Sequence, residues 1–239
     1  MRYNSEVALT TLGYAFLGGL LPSLVWLYFL LKEDARCPEP RRIIALAFIA
    51  GMCAVPLALP LEKYAQTLAG SAPPLLAWAA IEEMLKYTVA ALFILWRPVV
   101  DETPDYVIYM ITVALGFAAA ENMLFLFAPL SAGQVATGAL TDDMRFIGST
   151  LLHVTASATV GFALAFSARK RSWVRIGAIV AGLILAIALH TAFNRLIMYS
   201  SGSSVSEAFF LVWIVVVMVL AAFEVLKYYR YRSLPPNIC

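Results

Sequence analysis

The chain has 239 residues, of which 62% are hydrophobic and 13% are charged, whereas soluble domains are usually about 45–50% apolar and about 25% charged. This composition excludes an ordinary water-soluble domain. The 17 Lys and Arg residues against 15 Asp and Glu residues give a formal net charge of +2. So small an excess provides no basic surface for nucleic acid, and we expect no nucleic-acid partner.

Seven apolar runs are long enough to cross the bilayer, since about 20 helical residues span about 30 Å of hydrocarbon. We predict an all-α polytopic membrane protein with about seven transmembrane helices, in which residues 1–239 form a single integral membrane domain. The second run, 43–60, contains Pro56 and Pro60. The predicted spans are 8–31, 43–60, 74–96, 106–128, 146–167, 173–199 and 205–228.

Basic residues are unevenly distributed between the two sets of connections. Twelve follow helices one, three, five and seven, whereas only Arg2, Lys63 and Arg145 lie on the opposite side. Positively charged connections remain in the cytoplasm, so this distribution predicts that the N-terminus is outside and the C-terminus inside.

Four of the predicted spans contain polar residues that are costly in a membrane, at about 2.5–3.5 kcal/mol for a centrally placed Asp, Lys or Arg. Counting about 1.5 Å per helical residue, all four spans bring these groups to a layer about 10–14 Å below the outer boundary. A shared depth predicts one site, open to the extracytoplasmic side and built by residues 74–199. The residues are Glu82, Glu83 and Lys86 in the third span, Glu121 and Asn122 in the fourth, His153 in the fifth, and His190 and Asn194 in the sixth.

The spacing within these spans predicts chemistry. Lys86 lies four residues after Glu82 and three after Glu83, so its ammonium can pair with either carboxylate. The other carboxylate would then be available as a general base or acid. His190 and Asn194 are four residues apart and share a helix face, from which they could bind a carbonyl oxygen or its oxyanion.

Four short motifs in this region resemble those of the PrsW-type intramembrane proteases, which are distantly similar to the type II CAAX prenyl endopeptidases and the bacteriocin-processing proteins. The motifs are Glu82-Glu83-Met84-Leu85-Lys86 (EExxK), Phe117 with Glu121-Asn122 (FxxxEN), His153 with Gly161 (HxxxxxxxG), and His190 with Asn194 (HxxxN). The resemblance implies a membrane-embedded peptidase of a bacterial-type plasma membrane. It also implies that the substrate is a single-pass membrane protein, such as an anti-sigma factor, cut on its extracytoplasmic side, and that the lipid bilayer surrounds the enzyme.

With that resemblance, we expect Glu82 or Glu83, with Glu82 preferred, to remove a proton from a water molecule near His153. Asn194 and His190 would stabilise the oxyanion, and Glu121 would orient a histidine or donate to the substrate. The family has also been described as metal-dependent, in which case Glu82, Glu83, His153 and His190 would be the ligands, and zinc would accept them. The absence of an HExxH helix favours metal-free catalysis.

One other class of function is compatible with buried glutamate and histidine, namely a proton-coupled transporter or channel that uses them as a relay. The sequence disfavours this alternative in two ways. The polar groups occupy one layer and do not continue to the cytoplasmic face, and the chain has no internal repeat of the kind found in carriers.

Overall fold

The computed structural model describes residues 2–134, 148–199 and 203–232. Within these ranges the chain is helical and contains no strand, as predicted. The helices are α1 (Arg2–Glu33), α2 (Arg41–Ala69), α3 (Leu75–Ala90), α4 (Thr103–Ser131), α5 (Thr150–Ser167), α6 (Ser172–Tyr199) and α7 (Ser203–Arg232).

Six of these seven described helices are long and apolar enough to cross a membrane, and α3 is the exception. It has 16 residues and continues into one π-helical turn, Ala91–Leu95. Together the two segments extend for about 30 Å, which matches the hydrocarbon thickness. The structure therefore agrees with a polytopic membrane protein of about seven helices.

Helix α4 forms the centre of the bundle and packs against α1, α2 and α5. Its apolar residues point in all directions, as expected for a helix enclosed by neighbours. The closest approach is to α2. A Cβ atom on Gly116 would lie 1.9 Å from the carbonyl oxygen of Phe48, and one on Gly51 would lie 2.0 Å from that of Val113. Glycine at both positions lets the two backbones touch.

Helix α2 is longer than the predicted span, which ended at Pro60. The helix passes through Pro56 and Pro60 and ends at Ala69. Gly70 closes it, with a φ of +70° and an N–H that donates to the carbonyl of Gln66 over 3.1 Å. Proline is tolerated in membrane helices because neighbouring groups satisfy the freed backbone carbonyls. As a consequence, Glu62 lies inside the helix, about 10 Å from its end.

At the opposite end of the bundle, charged and aromatic side chains connect neighbouring helices. The Arg175 guanidinium lies 4.4 Å from the centre of the Trp96 ring and donates to the Tyr106 hydroxyl. Lys227 of α7 pairs with Glu33 of α1 at 3.0 Å. These contacts lie at the end that the predicted orientation places in the cytoplasm; the end near Gln66 is called the outer end below. Residues 135–147, with Arg145 and most of the predicted outer connection 129–145, lie outside the described residues.

Candidate functional site

Helices α3, α4, α5 and α6 bring their polar side chains together in one cluster, as the shared depth predicted. The cluster consists of charged and imidazole groups that are almost completely withdrawn from the surface. The exposed fraction is 0% for Lys86, 1% for Glu83 and His153, 2% for His190 and 6% for Glu82.

Glu83 is fully engaged by its neighbours. Its Oε1 accepts from the Lys86 ammonium at 2.7 Å and lies 2.9 Å from Nδ1 of His190. Its Oε2 accepts from the Ser157 hydroxyl at 3.3 Å. A carboxylate held by three donors on both oxygens serves to fix those donors in place, since it has little capacity left for a reacting water.

Lys86 connects the carboxylate pair to the histidine of α5. Besides its bond to Glu83, the ammonium lies 2.7 Å from Nδ1 of His153 and 4.4 Å from the centre of the Phe117 ring. An ammonium can only donate, so Nδ1 of His153 is assigned as the acceptor and the ring proton lies on Nε2. The Nε2–H group then donates to Glu121 over 2.9 Å.

The two histidines have the same arrangement of contacts at their ring nitrogens. Each has one ring nitrogen 2.9 Å from a carboxylate, Glu121 for His153 and Glu83 for His190. The other nitrogen of each ring, Nδ1 of His153 and Nε2 of His190, lies 3.9 Å from Oε2 of Glu82. The two rings meet edge to face, with centres 5.1 Å apart. A carboxylate behind each ring fixes its orientation and directs the opposite nitrogen toward Glu82.

The Oε2 atom of Glu82 is buried but accepts no hydrogen bond from any described residue. Its nearest cation is the Lys86 ammonium at 3.7 Å. Buried carboxylate oxygens normally have partners, so an atom of this kind indicates a position where a water, a substrate group or an ion belongs. In this respect the two adjacent glutamates differ sharply, because Glu83 is satisfied and Glu82 is not.

Glu82, His153 and His190 could hold a metal ion, since one ligand atom from each lies within 4.8 Å of the other two. A carboxylate with two imidazoles is a donor set that zinc accepts, and carboxylates behind the imidazoles are typical of such sites. The donors therefore fit a metal. The ligand set expected from the sequence also contained Glu83, which in the structure binds Lys86, His190 and Ser157 instead.

A cavity of about 830 Å³ lies beside Glu82, Glu121, His153, His190 and Asn194. It extends toward the outer end of the bundle, where it is lined by residues of α2, α4 and α6. Among the remaining lining residues are Leu59, Glu62, Gln66, Trp78, Phe117, Phe125, Ala128 and Met198.

Two expected motif residues lie away from the cavity. Asn122 is buried and donates to the Thr150 hydroxyl over 3.1 Å, which ties α4 to α5 next to Glu121. A Cβ atom on Gly161 would lie 2.7 Å from the Cα atom of Val107. Gly161 therefore permits close packing of α5 on α4, two turns below His153.

Sequence analysis missed two residues of this region. Ser157 lies one turn after His153, and a lone serine in a membrane helix gives no distinctive signal. Glu62 was missed because the second span was ended at Pro60. If the predicted helix had continued to Gly70, a search of every helix for carboxylates at the depth of the site would have found Glu62.

The chain is similar to known proteins at the level of a family and of a curated relative. A family described as "PrsW family intramembrane metalloprotease" matches residues 39–222. The relative, named "Protease PrsW", is from Geobacillus kaustophilus (strain HTA426); it is 27% identical over 191 residues, which cover 75% of this chain and 78% of the relative. No solved structure matches this chain.

Proposed function

Because this chain belongs to the PrsW family of intramembrane metalloproteases, we propose that it hydrolyses a peptide bond of a single-pass membrane protein in the cavity beside Glu82. The chain is a multi-pass membrane protease by family membership. The buried, unsatisfied Oε2 atom of Glu82 carries the proposal, since it faces both histidines and borders the cavity.

In the proposed reaction, a water molecule beside Glu82 attacks the scissile carbonyl carbon and transfers a proton to Oε2 of Glu82. A general base of this kind typically contributes about 10²–10⁴-fold to the rate. The tetrahedral intermediate then collapses, the C–N bond breaks, and the proton passes to the leaving amine. Glu83 and Lys86 hold the base at a fixed distance from the histidines, and Glu121 keeps His153 in its tautomer.

The oxyanion of the intermediate needs hydrogen-bond donors, and the Asn194 side-chain amide would supply one. His190 would supply a second from Nε2 in its doubly protonated form, since its Nδ1–H group donates to Glu83. His190 and Asn194 lie one helical turn apart on α6 and both line the cavity. Donors fixed before the reaction stabilise developing negative charge without any reorganisation, which is worth about 10²–10³-fold per donor.

The family description includes a metal, and Glu82, His153 and His190 would hold it. Bound there, a zinc ion would supply an acidified water and polarise the scissile carbonyl. Lys86 donates to the His153 nitrogen that faces Glu82, so its side chain would have to move to allow that nitrogen to bind.

The expected substrate is a single-pass protein whose outer juxtamembrane segment enters the cavity, for example a membrane-anchored anti-sigma factor. Carbonyl groups inside a helix are hydrogen-bonded and shielded by side chains, so the segment has to be extended at the point of cleavage. We expect the cut within the outer end of the substrate helix or in the residues just beyond it.

The decisive experiment compares Glu82→Gln with wild type in two measurements, cleavage of a co-expressed single-pass substrate and metal content after purification. The amide is almost isosteric but accepts a proton poorly, so turnover should fall at least about a hundredfold. The exposed Glu207→Gln should behave like wild type. Full activity of Glu82→Gln would refute the proposal.

Metal content in the same samples separates the two roles of Glu82. An inactive Glu82→Gln protein that keeps the metal identifies Glu82 as the base. Simultaneous loss of metal and activity identifies it as a ligand, and inhibition of wild type by a chelator, reversed by zinc, would accompany that result.

A further inference from the structure

Glu62 belongs to the cavity but to none of the four motifs. It lies on one stripe of α2, with Val55, Leu59 and Gln66 at helical spacing, and all four line the cavity. The stripe is apolar up to Leu59 and polar from Glu62 onward. Glu62 therefore stands where the apolar part of the wall meets the polar outer part.

The backbone at Glu62 is held by α3. The Trp78 indole Nε1–H donates to the Glu62 carbonyl over 3.1 Å. Trp78 lies four residues before Glu82, so the two side chains project from the same face of α3. This bond holds the α2 backbone at Glu62 against the helix that carries Glu82.

The Glu62 carboxylate forms no hydrogen bond or ion pair with any described residue, although its charge interacts with those of Glu121, His190 and Lys86. Its neighbour Lys63 also lines the cavity; it is exposed and likewise forms no ion pair within the described part of the chain. An unpaired, partly buried carboxylate at membrane depth is costly, and such a group indicates a function.

The other two carboxylates on the cavity wall belong to the proposed reaction centre. Glu82 faces both histidines, and Glu121 accepts from His153. Glu62 is therefore the lining carboxylate whose negative charge is available to a molecule entering the cavity. A substrate side chain that pairs with it in this poorly solvated space gains more than it would at the surface.

On the basis of the proposed function, we propose that Glu62 is a specificity-determining residue, which binds a lysine or arginine side chain of the substrate close to the scissile bond. A basic side chain on an extended segment can reach the wall of α2 while the backbone lies beside Glu82. An acidic side chain at the same substrate position would face Glu62 and be rejected by like-charge repulsion.

The test uses full-length protein and one single-pass substrate in which each position within about four residues of the cut is varied to Lys, Gln or Glu. At one position wild type should prefer Lys over Glu at least about tenfold in kcat/KM, mainly through KM. Glu62→Gln should remove that preference and Glu62→Lys should reverse it. Glu207→Gln, an acid-to-amide change on an exposed residue outside the cavity lining, serves as the matched control and should keep it.

The outcomes separate this inference from the proposed function. Wild-type cleavage that ignores substrate charge at every position, or a preference that survives in Glu62→Gln, overturns the inference and leaves the protease site intact. Full activity of Glu82→Gln overturns the proposed site whatever the substrate charge. If Glu62→Lys does not fold, the isosteric Glu62→Gln decides the question alone.

Discussion

At the scale of single residues, the two adjacent glutamates of α3 belong to one motif but have different contacts and different roles. Glu83 is bound by three donors, whereas Glu82 has an oxygen without a donor among the described residues. The motif alone could not distinguish them, because Lys86 is within helical reach of both. The distinction arises from α5 and α6, which supply Ser157 and His190 to Glu83.

We predict that Glu83→Gln destabilises the fold, since it leaves the buried Lys86 ammonium without its closest counter-charge. Breaking a buried pair by removing one partner typically costs about 3–5 kcal/mol. The double variant Glu83→Gln with Lys86→Met should be less destabilised than Glu83→Gln alone. Thermal or denaturant unfolding in detergent measures both, and equal losses in the two would refute the explanation.

The pair of Lys227 with Glu224 provides the control for that experiment, because Lys227 is buried but its partner is not. The Nζ–Oε1 distance is 2.6 Å, the Glu224 side chain is 63% exposed, and Lys227 keeps Glu33 as a second partner. An ion pair whose carboxylate is open to solvent contributes about 0–1 kcal/mol. We therefore expect Glu224→Gln to unfold almost like wild type.

Asp34, in the connection after α1, makes stability depend on pH. Burial and the nearby charge of Glu39 raise the pKa of Asp34 from 3.8 to about 7, with Glu102 acting in the same direction and Lys227 opposing it. The folded state therefore holds the proton more tightly than the unfolded chain does. This contribution to stability is complete below pH 4 and is lost as pH rises toward about 7.

We accordingly predict that the temperature of half unfolding decreases as the pH is raised from 5 to 8, and that Asp34→Asn flattens this dependence. The amide cannot ionise and so lacks the linked proton. Unfolding curves of both proteins at matched ionic strength provide the measurement. Parallel pH profiles would show that Asp34 does not contribute.

At the scale of helices, the close approach of α2 and α4 positions two of the helices that line the cavity, since Glu62 lies on one and Glu121 on the other. We predict that Gly116→Ala destabilises the protein and lowers activity, since its Cβ would overlap the Phe48 carbonyl oxygen. Overpacking typically costs about 1–3 kcal/mol. Gly177→Ala on α6, where no atom lies within 4 Å, should be neutral or slightly stabilising; equal behaviour of the two variants would contradict this account.

Much of this helix-level arrangement could be predicted from the sequence, and the exceptions have physical reasons. Apolar length identified the helices, and one depth count brought Glu82, Glu121, His153 and His190 to one layer. The predicted end of α2 was wrong because the span was counted over the apolar run, 43–60, whereas the helix continues into the polar segment that ends at Ala69. Neighbouring helices satisfy the carbonyls that proline frees inside a membrane. Which partner each charged side chain contacts depends on the angles at which the helices pack. Residue spacing along a single helix does not determine those angles.

At the scale of the whole molecule, the orientation stays a prediction based on charge distribution. In a variant whose native cysteines are replaced by serine, Gln134→Cys should react with a membrane-impermeant thiol reagent on intact cells. Arg169→Cys should react only after permeabilisation. Both side chains are exposed, so accessibility itself does not decide the result, and the opposite pattern would invert the topology.

The location of the cluster also has an electrical consequence. Below the site the bundle is filled by apolar residues that are buried completely or nearly so, among them Val89, Val113, Leu115, Val160 and Leu164. In the predicted orientation, water entering the cavity from outside would stop at this apolar layer. Most of the transmembrane voltage would then fall across the layer, at about 2.3 kcal/mol per elementary charge per 100 mV. The reacting groups would therefore stay close to the electrical potential of the outer solution, and a membrane could carry many copies of such an enzyme without losing its proton gradient.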